Sequence, residues 1–112
     1  MNFQLQQLLL ALAPKAIESR FWKRVAEDIQ KPSRQRRIVN LYKIDKFAQD
    51  GETIVVPGKV LSVGQLTKKV DVAAIMFSKE AKEKIISAKG KVLSIEELLQ
   101  SNPKGKNVRI LG

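Results

Sequence analysis

The sequence contains no cysteine and no histidine among its 112 residues. Without cysteine it can form no disulfide framework and offers no thiolate nucleophile. Without either residue type it lacks the ligands from which ordinary zinc sites are built. The commonest general base is absent too, which excludes the Ser-His and Cys-His arrangements of nucleophilic catalysis. We therefore expect a protein that is not an enzyme and that holds no cofactor and no metal.

Aromatic residues are scarce, at 5% of the chain. All but one fall on apolar stripes or in apolar runs, and these are Phe3, Phe21, Trp22, Phe47 and Phe77. The remaining aromatic residue, Tyr42, looks free to meet a partner. Proteins that bind single-stranded nucleic acid usually expose several aromatic side chains on which bases stack. The scarcity favours a partner that is recognised by its backbone and shape.

Long apolar runs are absent as well. The run at the N-terminus, Leu8 to Ala13, is far shorter than the roughly 20 residues of a membrane-spanning helix. No Lys or Arg precedes it, so it does not resemble a secretory signal. Glycines are dispersed and form no phosphate-binding loop. We expect neither a membrane nor a small-molecule substrate as a partner.

Positive charge is the feature that the chain has in excess. Lys and Arg number 21 against 11 Asp and Glu, which leaves a net charge of +10, while 44% hydrophobic residues suffice for a core. Between Arg20 and Arg37 lie seven positive residues and two acids, and five of the six arginines. Arginine suits phosphate because its planar fork binds two oxygens. The candidate phosphate-binding residues here are Arg20, Lys23, Arg24, Lys31, Arg34, Arg36 and Arg37.

Apolar periodicity predicts a helical part in residues 1–31 and an α/β core in residues 32–112. Pro14 is expected to interrupt the helical part, and Ser19 to cap its second helix. The charged residues of that helix are expected outside its apolar stripe: Lys23, Arg24, Glu27 and Asp28. The fold class expected is thus a small single α/β domain preceded by two N-terminal helices.

Turn and cap residues divide the core into short strands and helices. Pro57-Gly58 fits the centre of a type II turn between two strands. Residues 70–77 form an apolar run that suits a strand covered on both faces. Ser78 is expected to cap a helix that runs through Lys89, with Gly90 in the left-handed position just after its end. The clearest local signal is a capping box with Ser94 at the N-cap and Glu97 three residues later.

Four segments, taken in order, resemble the archaeal and eukaryotic large-subunit ribosomal protein family called eighteen-e, which is related to the bacterial large-subunit protein fifteen. These segments are Trp22–Phe47, Glu52–Leu61, Val70–Ser78 and 102–110. Their ordered combination covers nearly the whole chain. The short length resembles archaeal members. The resemblance implies irregular β-β-α turns behind the N-terminal helices.

The resemblance also implies a function. Members of this family are structural constituents of the large ribosomal subunit in the cytoplasm, with ribosomal RNA and neighbouring ribosomal proteins as partners. Matching positions expected against RNA are the Lys31-Pro32-Ser33-Arg34 segment, Arg36, Arg37, Asn40 and the Pro57-Gly58-Lys59 segment. Arg109, the sixth arginine, completes the candidate RNA-binding residues.

Charge alone leaves other classes open. A basic protein that coats DNA regardless of sequence is the main alternative, because such a protein also binds its nucleic acid through phosphate contacts. A protein held on a membrane surface by residues 3–12 is a third class.

Overall fold

The structure is a computed structural model that describes residues 3–32 and 36–111, with Phe3 described by its backbone alone. The elements in this part of the chain are α1 (Phe3–Glu18), α2 (Arg20–Gln30), β1 (Arg37–Asn40), α3 (Leu41–Phe47), β2 (Thr53–Leu61), β3 (Asp71–Phe77), α4 (Lys79–Ser87), β4 (Val92–Ser94), α5 (Ile95–Ser101) and β5 (Val108–Ile110). The predicted α/β class and the two N-terminal helices are confirmed.

Across the described residues, the strands form one parallel sheet around β2. β3 pairs with one edge of β2, and β4 lies beyond β3. The other edge of β2 is shared, because β5 pairs with its first half and β1 with its second half. All strands run in one direction, so the carboxyl ends of β1 to β4 meet at the same side of the sheet.

The Pro57-Gly58 pair does not form the predicted turn, since β2 runs unbroken through both residues. The register against β3 shifts between Val56 and Lys59. Such an irregularity accommodates proline, which has no N–H for the ladder. A Cβ on Gly58 would stand 1.9 Å from the carbonyl oxygen of Arg37. The turn prediction was wrong because Gly58 is needed for the close approach of β1 to β2 and not for a turn.

Helices cover both faces of the sheet and enclose two apolar layers. α3 and α4 pack on one face, whose buried residues include Leu41, Ile44, Ile54, Val56, Val60, Val72 and Ile85. α1, α2 and α5 pack on the other, whose buried residues include Leu8, Leu12, Trp22, Val25, Ile29, Val55, Ile95 and Leu98. Residues 72–74 are buried, as predicted for a strand covered on both faces, but the prediction was wrong for the end of the run, since Met76 is 57% exposed.

The boundary between α1 and α2 lies at Ser19 and not at Pro14. α1 continues through Pro14, so the predicted interruption was wrong. The apolar stripe of this helix is buried in the second layer, through Leu5, Leu8 and Leu12. The helix also packs on α2, and its last turn closes where the N–H of Ser19 donates to the backbone oxygen of Lys15 at 2.9 Å. Ser19 caps α2 as predicted, and its Oγ accepts the N–H of Trp22 at 3.4 Å.

The two ends of α4 give different outcomes. At its start the prediction is confirmed, because Ser78 Oγ accepts the N–H of Ala81 at 3.2 Å. At its end, Lys89 and not Gly90 adopts a positive φ, of 69°. Gly90 serves close packing instead, since a Cβ there would stand 2.0 Å from the carbonyl oxygen of Val70.

The predicted capping box of α5 is confirmed. Ser94 Oγ accepts the N–H of Glu97 at 3.0 Å, and the Glu97 carboxylate accepts the N–H of Ser94 at 3.0 Å. These bonds lower the pKa of Glu97 from its ordinary value of 4.5, with the backbone bond from Ser94 as the main cause. Two of the N–H groups that open the helix are therefore satisfied locally.

Replacing Ser94 by alanine should lower the free energy of unfolding by about 1 kcal/mol, because one N-terminal N–H of α5 loses its acceptor. Urea denaturation followed by circular dichroism measures the loss. Ser87→Ala, at the exposed end of α4, is the matched control. Equal stability of the Ser94→Ala protein and the parent would contradict the role of the cap.

Glu97 should make stability depend on pH in the acid range. A carboxyl whose pKa is lowered in the folded state stabilises the fold above its ordinary pKa. This contribution disappears as the pH falls through the folded-state pKa. Between neutral pH and about pH 3, the parent should therefore lose more stability than Glu97→Gln. Glu96→Gln removes the same charge from the same turn and serves as the control, and equal losses in the parent and Glu97→Gln would refute the coupling.

Candidate nucleic-acid interface

Asp28, near the end of α2, gathers cations from both sides of residues 33–35. It is only 4% exposed, although the sequence pattern placed it outside the buried stripe. Its Oδ1 lies 3.1 Å from Lys31 Nζ, and its Oδ2 lies 3.8 Å from the Nε atoms of Arg24 and Arg37. The expectation was wrong because a buried carboxylate is tolerated where cations surround it.

Arg36 ties the start of β1 to the end of α2. Its Nε donates to the backbone oxygen of Ile29 at 3.1 Å. This bond restricts the direction of the guanidinium, while the side chain stays partly exposed. Ser33 and Arg34, which the sequence analysis also placed against RNA, lie outside the described residues.

The pairing of β1 with β2 brings Lys59 beside the two arginines. Arg37 is in register with Gly58, and Ile38 with Lys59. Lys59 is exposed, and it lines a depression of about 180 Å³ together with Arg36 and Arg37. Residues about twenty positions apart in the sequence thus form one basic cluster. We call Arg36, Arg37 and Lys59 the β1–β2 cluster.

The other candidates within the sheet have partners in the fold. Asn40 Oδ1 accepts the N–H of Val63 at 3.2 Å. Arg109 lies at the opposite end of β2, because it is in register with Ile54. Its Nε is 3.0 Å from the carboxylate of Glu52. The structure therefore separates Arg109 from the β1–β2 cluster by about 15 Å along the strand.

The remaining candidates, Arg20, Lys23 and Arg24, are exposed along α2. The loop of residues 102–107 packs on the start of this helix. The backbone oxygen of Asn102, in this loop, accepts the indole N–H of Trp22 at 3.2 Å. A Cβ on Gly105 would stand 2.6 Å from the ring of Phe21.

This packing brings two further exposed lysines toward α2, namely Lys104 and Lys106. Sequence reasoning missed them. The sequence Asn102-Pro103-Lys104-Gly105 is typical of a turn, and the N–H of Gly105 donates to the backbone oxygen of Asn102 at 3.1 Å. A turn pattern gives no indication of where the loop docks.

Other lysines have structural roles. Lys68 Nζ donates to the backbone oxygens of Asp45 and Ala48 at 2.6 and 2.8 Å. Lys84 Nζ donates to two carbonyl oxygens of residues 62–64. The pKa of Asp45 is lowered from its ordinary value of 3.8, chiefly because its carboxylate accepts the N–H of Thr67. Net charge alone therefore overstates how many cations a polyanion can reach.

The aromatic residues follow the prediction with one exception. Tyr42 is 56% exposed, as expected for the one residue that looked free. Phe47 is 47% exposed, although its pattern placed it on an apolar side of α3. Lys46 Nζ lies 5.4 Å from its ring centroid, a distance typical of a cation–π contact. The side chain of Phe3 lies outside the described residues.

The described residues form neither a metal site nor a membrane-spanning helix. No group of three or more acidic residues, histidines or cysteines comes close enough there to hold a metal ion. No helix among residues 3–32 and 36–111 is both long and apolar enough to cross a membrane. What the structure does assemble is cations around Asp28 and at the β1–β2 cluster.

Comparison with known proteins gives consistent relatives. A protein from Sulfurisphaera tokodaii named large ribosomal subunit protein eL18 is 52% identical over 90 residues, covering 80% of this chain and 76% of that protein. The protein of the same name from Methanoregula boonei is 48% identical over 104 residues, covering 93% and 86%. The one from Pyrobaculum aerophilum is 46% identical over 112 residues, covering 98% and 92%.

A family model described as ribosomal protein 60S L18 and 50S L18e matches residues 4–112. This match spans all elements of the fold apart from the first residue of α1. Together with identities of 46 to 52% to the three archaeal relatives, it confirms the resemblance seen in the sequence. The chain belongs to the large-subunit ribosomal protein family 60S L18 and 50S L18e, the family called eighteen-e above.

Proposed function

We propose that this chain is a structural constituent of the large ribosomal subunit and binds ribosomal RNA through basic residues, without catalysis. It acts on the ribosome in the cytoplasm, as one RNA-binding domain with neighbouring ribosomal proteins around it. The names of its relatives support the ribosomal part. The observation that supports RNA binding is the β1–β2 cluster, where the fold brings together cations that lie far apart in sequence.

Phosphate contacts explain how such a cluster binds RNA. Lys and Arg that meet phosphates release condensed counterions, which makes binding favourable and dependent on salt. Arg37 and Lys59 lie on neighbouring strands, whose backbones are about 4.8 Å apart. The pairing fixes the spacing of these two backbones before RNA arrives, so less conformational entropy is lost on binding.

Asp28 contributes by orienting cations. Its carboxylate cancels one positive charge but holds Lys31, Arg24 and Arg37 around the exit of α2. These three side chains are partly exposed, at 45%, 61% and 27%. They remain accessible to a phosphate while their positions are restricted. Arg34, which lies between Lys31 and Arg37 in the sequence, is proposed to contact RNA as well.

A second contact surface is proposed along α2. Arg20, Lys23 and Arg24 lie on this helix, and the loop carrying Lys104 and Lys106 packs against its start. Asn40 lies at the end of β1, where its side chain accepts the N–H of Val63. It is proposed to contact RNA at this edge of the sheet. Arg109 is proposed as a weaker, separate contact, because Glu52 partly neutralises it.

Replacing Arg36 or Arg37 by alanine should weaken binding to archaeal large-subunit ribosomal RNA. Each substitution should lower the slope of log affinity against log salt by about one unit, because one phosphate contact is lost. Fluorescence anisotropy titrations at several salt concentrations measure the slope. An unchanged slope would show that these side chains do not meet phosphate.

Lys91→Ala is the matched control for this experiment. Lys91 is exposed and precedes β4 at the amino-terminal side of the sheet, away from the β1–β2 cluster. Lys91→Ala also removes one positive charge. If net charge alone controlled binding, it would lower the salt slope as much as Arg36→Ala or Arg37→Ala does. Thermal unfolding of each variant separates lost contacts from lost stability, which matters for Arg37 because of its ion pair with Asp28.

A DNA-coating protein is the alternative that the net charge of +10 favours. The two functions predict different preferences between ribosomal RNA and duplex DNA that carry the same number of phosphates. A folded fragment of large-subunit ribosomal RNA should compete with duplex DNA of equal phosphate number and win, and the chain should stay with large subunits through a moderate salt wash. Equal affinity for both polymers, or release in the wash, would favour the alternative.

A further inference from the structure

One row of side chains on the sheet is unusually exposed. Ile38 is in register with Lys59, and Lys59 with Met76, so three neighbouring strands each contribute one residue. Ile38 is 64% exposed and Met76 is 57% exposed. In parallel sheets both faces are normally covered, so apolar residues exposed in such a row indicate a partner.

The row lies on the face that α1, α2 and α5 cover elsewhere. Val60, the neighbour of Lys59, belongs to the layer under α3 and α4, so Lys59 points to the other face. Met76 lines a second depression beside Leu5, Leu8 and Ile95, which belong to the layer under α1, α2 and α5. The three helices therefore leave the carboxyl-terminal part of this face open.

The open part forms the depression described above. Its apolar side consists of Ile38, Ile75 and Met76, and its basic side is the β1–β2 cluster. The depression lies on the face of the sheet, between the start of β1 and the later parts of β2 and β3. An apolar surface next to several cations fits a ligand with a flat uncharged part and phosphates beside it.

We propose that this depression holds one unstacked nucleobase of RNA, while the β1–β2 cluster contacts the phosphates next to that base. The proposal rests on the RNA-binding function proposed above and adds a contact to a base. Met76 offers a thioether, which makes favourable contacts with aromatic rings. An arginine can stack on a base with its guanidinium plane while its charge meets phosphate. The chain thus replaces the missing aromatic platforms with aliphatic and sulfur contacts.

The apolar side of the depression favours a nucleotide over an acidic peptide. Arg36 is held by its bond to Ile29, so its position does not depend on the ligand. A carboxylate-rich segment would satisfy the cations but leave Ile38 and Met76 facing water. An unstacked base covers that apolar surface and brings phosphates on both sides.

The chain allows a direct test, because Met76 is one of only two methionines. Protein labelled with ¹³C in the methionine methyl groups is titrated with a short RNA duplex that carries one bulged adenosine. The Met76 signal, assigned with Met76→Leu, should shift upfield because the base ring lies over the methyl group. The same duplex with an abasic bulge, a fully paired duplex and polyglutamate should leave it in place.

Affinities provide the second measurement. Met76→Ser should weaken binding of the bulged duplex by about fivefold, because an apolar contact is lost, and should leave binding of the abasic duplex unchanged. Ile86→Ser is the matched control, since Ile86 is 61% exposed on α4, which packs on the other face. Equal weakening for both duplexes, or none, would overturn the base pocket.

The two proposals fail in distinguishable ways. If Lys59→Ala weakens binding of all RNA duplexes while the Met76 signal never moves, phosphate binding stands and the base pocket is refuted. A Met76 shift of equal size with polyglutamate would also refute it. If no RNA duplex binds, or Lys59→Ala and Arg36→Ala change nothing, the proposed RNA-binding function fails together with the pocket.

Discussion

The close approach of β1 to the carboxyl-terminal half of β2 is the constraint on which the rest of the arrangement depends. It is possible only because Gly58 leaves room for the carbonyl oxygen of Arg37. Through this pairing the end of the helical part is joined to the sheet, and Lys59 comes beside Arg36 and Arg37. The same irregular segment of β2 exposes Lys59 in a row with two apolar residues.

Asp28 stabilises the junction of the helical part and β1 through its ion pairs. A strongly basic segment repels itself, and a buried carboxylate at its centre reduces this repulsion while fixing where the cations lie. Lys68 and Lys84 show a similar use of charge, since both bind backbone oxygens inside the fold. Some of the positive side chains therefore stabilise the fold, while others remain exposed on its surface.

Local signals predicted those features whose partners lie within a few residues. The cap at Ser19 and the capping box of Ser94 and Glu97 are correct, because their hydrogen bonds span three residues. Features decided by distant neighbours were misread. Pro14 does not end α1 because that helix packs on α2 and α5, and Pro57-Gly58 does not turn because β1 and β3 pair on either side of β2.

The sequence by itself determined the α/β class, the N-terminal caps of three helices, the family and the concentration of arginine between residues 20 and 37. These depend on composition, on short-range periodicity and on the order of motifs. The tertiary structure alone decided which cations share a surface, because β1 and β2 bring together residues that the chain separates. It also buried Asp28, set Arg109 apart and left Ile38 and Met76 exposed, since only packing determines which part of a sheet the helices cover.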